Sequence, residues 1–263
     1  MDELDAAVAV VTGGGNGIGA GIAAVLGREG ATVVVTDLDE ARAHASAGRI
    51  AEAGGQSHAV HHDVTSAASC AEVVAGVIDR FGRLDVLVNN AGISSRSAFR
   101  DLDEAEWDRM MNVNLKSLFL MTKAAVEPMI EQSGGAIINT ASIAGKEAFP
   151  NFSHYSVTKF GVIALTQALA KEFAPFGIRV NAVCPGVVRT TLWEPLLDEA
   201  ADHHRVADAA ANRQVDALDR CHAAEALGAS CGPTTVGCSS AGGRSGRALM
   251  RRAPVASRWY IRS

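Results

Sequence analysis

Short apolar runs alternate with longer stretches of helical periodicity through the first two thirds of the chain. The run Thr32–Thr36 (TVVVT) is continuous and mostly β-branched, as expected of a strand whose two faces are both covered. The pattern predicts strands at Ala7–Val11, Thr32–Thr36, His58–His62, Leu84–Asn89, Ala136–Thr140 and Arg179–Val183. It predicts helices near Gly17–Glu29, Glu40–Ala53, Ala67–Phe81, Glu104–Glu131 and Ser153–Phe173.

Strands that alternate with helices form a parallel sheet with crossover helices. We therefore predict an α/β fold with a doubly wound parallel sheet in a single domain over residues 1–228. The sequence shows no internal repeat and no linker before residue 185. The pattern over residues 191–217 predicts one or two helices outside the sheet.

Composition narrows the function classes without naming one. The chain has 263 residues and is 48% hydrophobic, enough for a large core. No run of 18 apolar residues occurs, and the first residues carry acids where a signal peptide needs basic groups, so we expect a cytoplasmic protein that binds no membrane. Five scattered cysteines without a CxxC pair predict free thiols and no metal site.

Charge is distributed unevenly along the chain. Residues 1–218 hold 17 basic and 27 acidic residues, a net charge of −10, whereas residues 219–263 hold seven arginines and two acids, a net charge of +5. The acidic body argues against nucleic acid as a partner.

A glycine loop, TGGGNGIG, lies between the first predicted strand and the first helix. Gly13, Gly17 and Gly19 have the spacing of a turn that lets a pyrophosphate approach the backbone. The following helix then directs free N–H groups and the positive end of its dipole at the phosphates.

Asp37 ends the second predicted strand, about 20 residues further on. A carboxylate there accepts hydrogen bonds from the adenosine ribose hydroxyls and repels a 2′-phosphate. Neither Gly15 nor Asn16 offers a basic side chain, and Arg42 is the nearest one. These features favour NAD over NADP. The alternative interpretation of Asp37 is a helix N-cap.

Ser142, Tyr155 and Lys159 follow in the order Ser–x12–Tyr–x3–Lys. A tyrosine has an unperturbed pKa of about 10 and needs help to act near neutral pH. Lys159 lies one helical turn after Tyr155 on the same face, where its ammonium stabilises the phenolate. The three side chains together suit proton transfer at a carbinol oxygen.

With this loop and this trio, the chain resembles the short-chain dehydrogenase/reductase family, over about Ala7 to Thr191. The resemblance implies that Tyr155 is the acid/base, that Ser142 orients the substrate oxygen and that Lys159 also holds the nicotinamide ribose. It implies that Asn114, in MNVNLKS, anchors a water that extends the proton relay, with Asn112 as the alternative. It also implies a mobile lid at residues 191–217, for which a surface helix pair without ligand contact is the alternative.

The resemblance also assigns cofactor contacts along the chain. Asp63 would meet the adenine amino group, Asn90 of NNAG would line the nicotinamide ribose, and Val188 and Thr190 would flank the carboxamide. The full set of expected cofactor residues is Gly13, Asn16, Gly17, Ile18, Gly19, Asp37, Leu38, Asp63, Val64, Asn90, Gly92, Tyr155, Lys159, Pro185, Val188 and Thr190. We interpret His61 and His62 as surface or strand-end residues, and His154 as a solvent-facing neighbour of Tyr155.

These features predict an NAD-dependent oxidoreductase that moves a hydride between the nicotinamide and a secondary alcohol or ketone. Substrate choice rests on Ser94–Arg100 and the lid, and a polyol, a hydroxyacyl thioester, a hydroxysteroid and a small diol all stay open. By resemblance we expect a homodimer or homotetramer that pairs through Glu104–Glu131 and Ser153–Phe173. The rival hypothesis is a catalytically weak nucleotide-binding or oligomerisation protein with an incomplete C-terminal part.

Residues 229–263 depart from the family pattern. The family expects a buried seventh strand and an acidic DGG-like ending, but no acid follows Glu225 and no stretch keeps a strand or helix period. We interpret this segment as an unrelated basic tail, conceivably from a frame change in the coding sequence, that builds no regular seventh strand. Trp259–Ile261 is the one short run that resembles a replacement.

Overall fold

The strands form one parallel sheet. A computed structural model describes residues 4–188 and Thr190. The six strands are β1 (Val8–Thr12), β2 (Thr32–Asp37), β3 (Gln56–His61), β4 (Val86–Asn89), β5 (Gly135–Thr140) and β6 (Ile178–Val183). Their order across the sheet is β3-β2-β1-β4-β5-β6, and every pair of neighbours is parallel. The predicted doubly wound α/β fold is confirmed.

The helices connect successive strands. They are α1 (Gly17–Arg28), α2 (Glu40–Glu52), α3 (Ala67–Phe81), α4 (Glu104–Met111), α5 (Ser117–Glu131) and α6 (Ser153–Phe173). None of the helices in the described part of the chain has the length and apolar character needed to cross a membrane.

The predicted helical stretch Glu104–Glu131 is present, with an irregularity inside it that the periodicity does not show. A π-helical turn at Asn112–Lys116 separates α4 from α5. Such widened turns are frequent at functional sites. Here the turn carries the Asn114 side chain to the backbone of Ile93, a long-range contact that helical periodicity does not reveal.

Alternate residues of the central strand enter different halves of the core. Val8 and Val10 of β1 pack with α3 and α5, whereas Ala9 and Val11 pack with α1 and α2. Both halves are buried, which explains why the central strands show unbroken apolar runs instead of alternation. The two covered faces leave the carboxyl edge of the sheet as the place for a ligand.

The predicted lid, the basic tail and the missing seventh strand all lie outside the described residues, as does the domain boundary at residue 228. Within residues 4–188, β6 forms one end of the sheet and pairs only with β5. What the sequence predicts for these segments therefore stays a prediction.

Candidate active site

A single cleft of about 1190 Å³ runs along the carboxyl edge of the sheet. The strand order reverses between β1 and β4, and open α/β sheets bind ligands at such a switch point. Most of the predicted site residues line this cleft: Gly13, Asn16, Gly17, Ile18, Asp37, Leu38, Asp63, Val64, Asn90, Gly92, Ser142, Tyr155, Lys159, Pro185 and Thr190. Tertiary structure thus brings the glycine loop and the Ser–Tyr–Lys trio to one continuous surface.

The three glycines of the loop are needed for different reasons. Gly13 (φ +60°) and Gly17 (φ +54°) occupy the left-handed region that other residues rarely adopt. A Cβ at Gly13 would also lie 2.8 Å from the Cα of Ala91. Gly19 is not among the cleft-lining residues of the described chain. A Cβ there would overlap the carbonyl oxygen of Gly13, so Gly19 allows α1 to pack against the loop.

Two asparagines hold the loop in shape. Asn16 is the N-cap of α1, and its side chain accepts a hydrogen bond from the Gly17 N–H at 2.7 Å. The side-chain amide of Asn90 donates to the carbonyl oxygens of Thr12 and Gly13, at 3.1 and 3.2 Å. Asn90 therefore braces the glycine loop from the end of β4, in addition to facing the cleft.

Asp37 directs its carboxylate at the glycine loop. Its Oδ2 accepts from the Gly15 N–H and its Oδ1 from the Asp39 N–H, both at 3.0 Å. The N-cap of α2 is Asp39, so the N-cap interpretation of Asp37 is wrong. Arg42 also lines the cleft. Its Nε lies 3.1 Å from Asp39 Oδ2, so the Asp39 carboxylate compensates its charge.

Asp63 follows β3 at the same end of the cleft. Its Oδ1 accepts from the backbone and the hydroxyl of Thr65, at 2.9 and 2.7 Å, and these hydrogen bonds lower the pKa of Asp63. Of the two expectations for His62, the strand-end position is met, because His62 directly follows β3, but the surface position is not. Its ring is 1% exposed and bonds Thr36 Oγ1 at 2.9 Å and Cys70 Sγ at 3.4 Å, so it supports the strand ends beneath Asp63.

The Ser–Tyr–Lys trio meets at the other end of the cleft. Tyr155 and Lys159 are both 5% exposed, on the same face of α6. The Lys159 Nζ donates to the carbonyl oxygen of Thr140 at 2.8 Å and lies 5.6 Å from the centre of the Tyr155 ring. Ser142, also buried, forms a side-chain hydrogen bond with Tyr155.

A short 3₁₀ turn, Ile143–Gly145, sets the position of Ser142. The Ser142 Oγ caps this turn by accepting from the Ala144 N–H at 3.1 Å. A Cβ at Gly145 would lie 2.6 Å from the Lys159 carbonyl oxygen, so the turn packs directly on the backbone of α6. Gly145 could not be predicted from the sequence, because a single glycine after a strand carries no signal of this contact.

Burial controls the protonation of both titrating groups in the trio. Desolvation lowers the pKa of Lys159 to about 8. Desolvation also raises the pKa of Tyr155, and the hydrogen bond from Ser142 opposes this only in part. We expected the lysine to bring the tyrosine pKa down, and the direction in the protein without cofactor is the opposite. Low dielectric around the phenol outweighs an ammonium that faces the ring instead of the oxygen.

Asn114 lies behind the cleft and does not line it within the described chain. Its side chain is fully buried and forms a reciprocal pair with Ile93, accepting from the N–H at 2.7 Å and donating to the carbonyl oxygen at 2.8 Å. Its amide nitrogen also lies 3.5 Å from Thr158 Oγ1 on α6. Asn114 thus connects the π turn to the chain after β4, and its relay role stays a prediction.

The segment after β6 reaches the cleft unevenly. Pro185 and Thr190 line the cleft, and Thr190 lies beside the position that a Cβ at Gly17 would take, at 3.2 Å. Val188 is not among the lining residues of the described chain. Thr190 therefore lies beside the glycine loop.

His154, expected to face solvent, is fully buried beside Tyr155. Its Nε2 bonds Ser95 Oγ at 2.8 Å, and Ser95 in turn donates to Glu106. The sequence analysis missed all three as a group, because they come from separate segments that only the fold brings together.

Comparisons with known proteins agree with this geometry. A family model described as short chain dehydrogenase matches residues 7–201. Cyclopentanol dehydrogenase of Comamonas sp. (strain NCIMB 9872) is 39% identical over 198 residues, covering 75% of this chain and 79% of the relative. Trans-4-hydroxycyclohexanecarboxylate dehydrogenase of Sinomonas cyclohexanicum is 44% identical over 197 residues, covering 73% and 76%.

A solved structure gives the same result. A short-chain type dehydrogenase/reductase from Mycobacterium marinum superposes with a TM-score of 0.73 at 37% identity, covering 75% of this chain and 79% of that one. Members of this family are oxidoreductases that use nicotinamide cofactors on alcohols and ketones. The matched segment, the sheet order and the cleft together place this chain in the short-chain dehydrogenase family.

Proposed function

We propose that this protein is an NAD-dependent oxidoreductase that interconverts a secondary alcohol and its ketone, with Tyr155 as the acid/base. One observation supports this most: Ser142, Tyr155 and Lys159 line the same cleft as the glycine loop and Asp37. A cleft that holds both a dinucleotide cradle and a buried proton-transfer group suits hydride transfer better than nucleotide binding alone.

The described residues fit a nicotinamide dinucleotide. Gly13 and Gly17 add no side chain to the loop before α1. The Asn16 side chain accepts from the Gly17 N–H, and the other N–H groups of the first turn have no carbonyl partner within the helix. Asp37 lines the cleft, where we expect its carboxylate to accept from a ribose hydroxyl and repel a 2′-phosphate, and Arg42 is paired with Asp39. This combination supports NAD over NADP.

The proton chemistry follows from the environment of Tyr155. A buried phenol with a raised pKa is protonated near neutral pH, so Tyr155 donates its proton to the carbonyl oxygen when a ketone is reduced. Ser142, already bonded to the phenol, orients the same oxygen. When bound, the nicotinamide supplies or accepts the hydride. In the oxidation direction, Tyr155 takes the alcohol proton, and the Lys159 ammonium stabilises the resulting phenolate.

The relatives suggest the first substrates to examine. The names of two relatives give cyclopentanol and trans-4-hydroxycyclohexanecarboxylate as substrates. Both are ring compounds with a secondary hydroxyl. We propose that this chain also acts on an alicyclic secondary alcohol or its ketone. The comparison with linear diols and hydroxyacyl thioesters belongs in the same experiment.

We further propose that the protein acts as a homo-oligomer. Large apolar side chains are exposed on α5 and α6: Phe119 at 50%, Val157 at 45% and Phe160 at 44%. Exposed apolar groups clustered on two long helices are typical of a subunit interface.

A steady-state screen of alicyclic and linear alcohols with NAD and NADP, beside a cofactor titration, tests this function. We expect turnover with at least one ring alcohol and preference for NAD. Cofactor binding without turnover of any alcohol or ketone would favour the catalytically weak nucleotide-binding alternative.

Tyr155→Phe tests the acid/base assignment. The ring of phenylalanine still packs against Met110 and Ala144, but the titrating oxygen is gone. We expect kcat to fall by at least about 100-fold, the lower end of what a positioned acid/base contributes, with NAD affinity nearly unchanged. Turnover close to that of the wild type would remove the assignment.

A further inference from the structure

The loop of residues 93–98, which follows β4 at the cleft, is fixed to the protein at alternate residues. Ile93 forms the reciprocal pair with the Asn114 side chain, at 2.7 and 2.8 Å. The Ser97 N–H donates to the carbonyl oxygen of Asn151, just before α6, at 2.9 Å. Between them, Ser95 bonds His154 and Glu106. Ile93 lines the cleft and packs with the cluster that contains Tyr155, so the loop forms its wall near the reacting group.

The direction of each hydrogen bond through Ser95 can be assigned from the donors available. Hydrogen bonding from Arg109 and Ser95 lowers the pKa of Glu106, which keeps it an ionised carboxylate that only accepts. Arg109 donates two hydrogen bonds to the Glu106 carboxylate, from Nε at 2.8 Å and from Nη2 at 3.1 Å. Since the single Ser95 proton goes to Glu106, the Ser95 oxygen accepts from His154 Nε2–H. The order is therefore His154 to Ser95 to Glu106.

This order excludes a nucleophilic Ser–His–Glu triad, although those three residue types are present. In such a triad the serine proton points to the imidazole, which takes it as a base. Here the serine proton points to the carboxylate, and the imidazole is a donor. Burial also lowers the pKa of His154, so the ring is neutral near pH 7. The cluster positions groups and does not attack a substrate.

The buried imidazole of His154 reduces stability more than an apolar side chain in the same place would. Its Nδ1 is buried and has no hydrogen-bond partner among the described residues. A buried polar atom without a partner costs about 1–3 kcal/mol. An apolar side chain would avoid that cost, and residues that reduce stability are often retained for function.

We propose that the His154–Ser95–Glu106 hydrogen-bond chain positions the 93–98 loop as a preformed wall of the substrate site. These hydrogen bonds join α4, the 93–98 loop and the start of α6 directly beside Tyr155. Loss of the middle link frees the loop between its two other attachments at Ile93 and Ser97. The expected consequence is weaker substrate binding, with cofactor binding unchanged. The substrate part of this inference rests on the proposed function.

Ser95→Ala removes both hydrogen bonds of the middle link with little change in volume, and Ser97→Ala is the matched control. Among the described residues, the Ser97 hydroxyl hydrogen-bonds to its neighbour, the Ala98 carbonyl oxygen, at 3.3 Å, and the backbone N–H of residue 97 is kept in the variant. We expect amide hydrogen exchange of Ile93 and Ser97 in the NAD-bound enzyme to speed up about tenfold in Ser95→Ala, which corresponds to about 1.4 kcal/mol. The control should stay within about twofold of the wild type.

Kinetics give the second readout. In Ser95→Ala we expect KM for the alcohol to rise about tenfold, with a smaller change in kcat and an unchanged affinity for NAD. Glu106→Gln keeps an acceptor for the Ser95 proton and should retain most of the substrate affinity, whereas Glu106→Ala should behave like Ser95→Ala. A merely structural role would lower kcat, raise KM and weaken NAD binding together, and Glu106→Gln would not rescue them.

The two readouts separate the possible failures. Amide exchange needs no turnover, so unchanged exchange in Ser95→Ala overturns the positioning role even if no alcohol is a substrate. Faster exchange with an unchanged KM overturns the substrate-wall role. A wild type without turnover, but with the expected exchange in both variants, would refute the proposed function and leave the positioning of the loop established.

Discussion

Local environment gives individual side chains in and beneath the cleft properties that their residue type does not indicate. Lys159 and Cys70 are both buried, and burial lowers the pKa of the amine to about 8 and raises that of the thiol to about 11. His62, in contact with Cys70, has its pKa lowered to about 4. This histidine–cysteine pair is therefore neutral at pH 7 and is no thiolate–imidazolium dyad. Burial removes the water that would hydrate the charged form of either group.

Asp37 should determine which dinucleotide binds. We expect Asp37→Ala combined with Asn16→Arg to shift the ratio of kcat/KM for NAD and NADP toward NADP by at least about tenfold, since a repulsive charge is lost and a phosphate partner gained. Asp39→Ala, which breaks the Arg42 pair but keeps Asp37, is the control and should shift the ratio less. A wild type that already prefers NADP would contradict the role assigned to Asp37.

Packing between elements, more than any single side chain, aligns the trio. The 3₁₀ turn after β5 carries Ser142, α6 carries Tyr155 and Lys159, and the two meet where Gly145 approaches the backbone of α6. The π turn before α5 aligns the opposite wall through Asn114.

Gly145→Ala should damage this alignment. The added methyl would lie 2.6 Å from the Lys159 carbonyl oxygen, so the turn must move away from α6 and take Ser142 with it. We expect a loss of stability of about 1–3 kcal/mol, as for other overpacked sites, and a kcat reduced at least tenfold. Thermal unfolding and steady-state kinetics measure both.

Gly76→Ala in α3 is the matched control, because nothing lies within 4 Å of its added methyl. That change should stabilise the protein by up to about 1 kcal/mol through helix propensity and leave kcat unchanged. Equal behaviour of the two variants would show that the contact between Gly145 and α6 is not what positions Ser142.

The exposed faces of α5 and α6 should mediate assembly. Phe119→Asp combined with Phe160→Asp places charges on the proposed interface, and we expect a smaller particle than the wild type by light scattering at micromolar concentration. Phe176→Asp, also 44% exposed but outside these helices, should leave the mass unchanged. A monomeric wild type would refute the proposal of a homo-oligomer.

At the scale of the whole molecule, the buried amine of Lys159 makes the free energy of unfolding depend on pH. The native pKa of Lys159, about 8, is below the value of 10.5 for the unfolded chain. The unfolded state thus binds more protons between these values, and the free energy of unfolding rises with pH across that range. Below about pH 8 the native protein holds a buried ammonium, at a cost of about 3 kcal/mol.

Lys159→Met isolates this contribution. We expect the free energy of unfolding of the wild type, minus that of the variant, to increase as pH rises from about 8 to about 10, and to stay level between about pH 6 and 7. Urea unfolding at several pH values measures the difference. A difference that falls with rising pH would show that burial does not lower the pKa of Lys159.

Much of this protein follows from local sequence pattern. The six strands and the class of sheet were predictable because β-branched apolar runs and turn residues act over a few positions. The glycine loop, Asp37 and the Ser–Tyr–Lys spacing were also legible, since each lies within one strand–turn–helix unit or one helix. The prediction for the basic tail rests on pattern alone and remains open.

Tertiary structure decided the rest. The π turn at Asn114, the buried ring of His154 and the close approach at Gly145 depend on contacts between segments far apart in sequence, which no local period encodes. Burial likewise reversed the expected pKa direction of Tyr155, because hydration is set by everything that packs around a group. The sequence determined which chemical groups this protein carries, and the fold decided which of them meet, which lose water and which only hold the others in place.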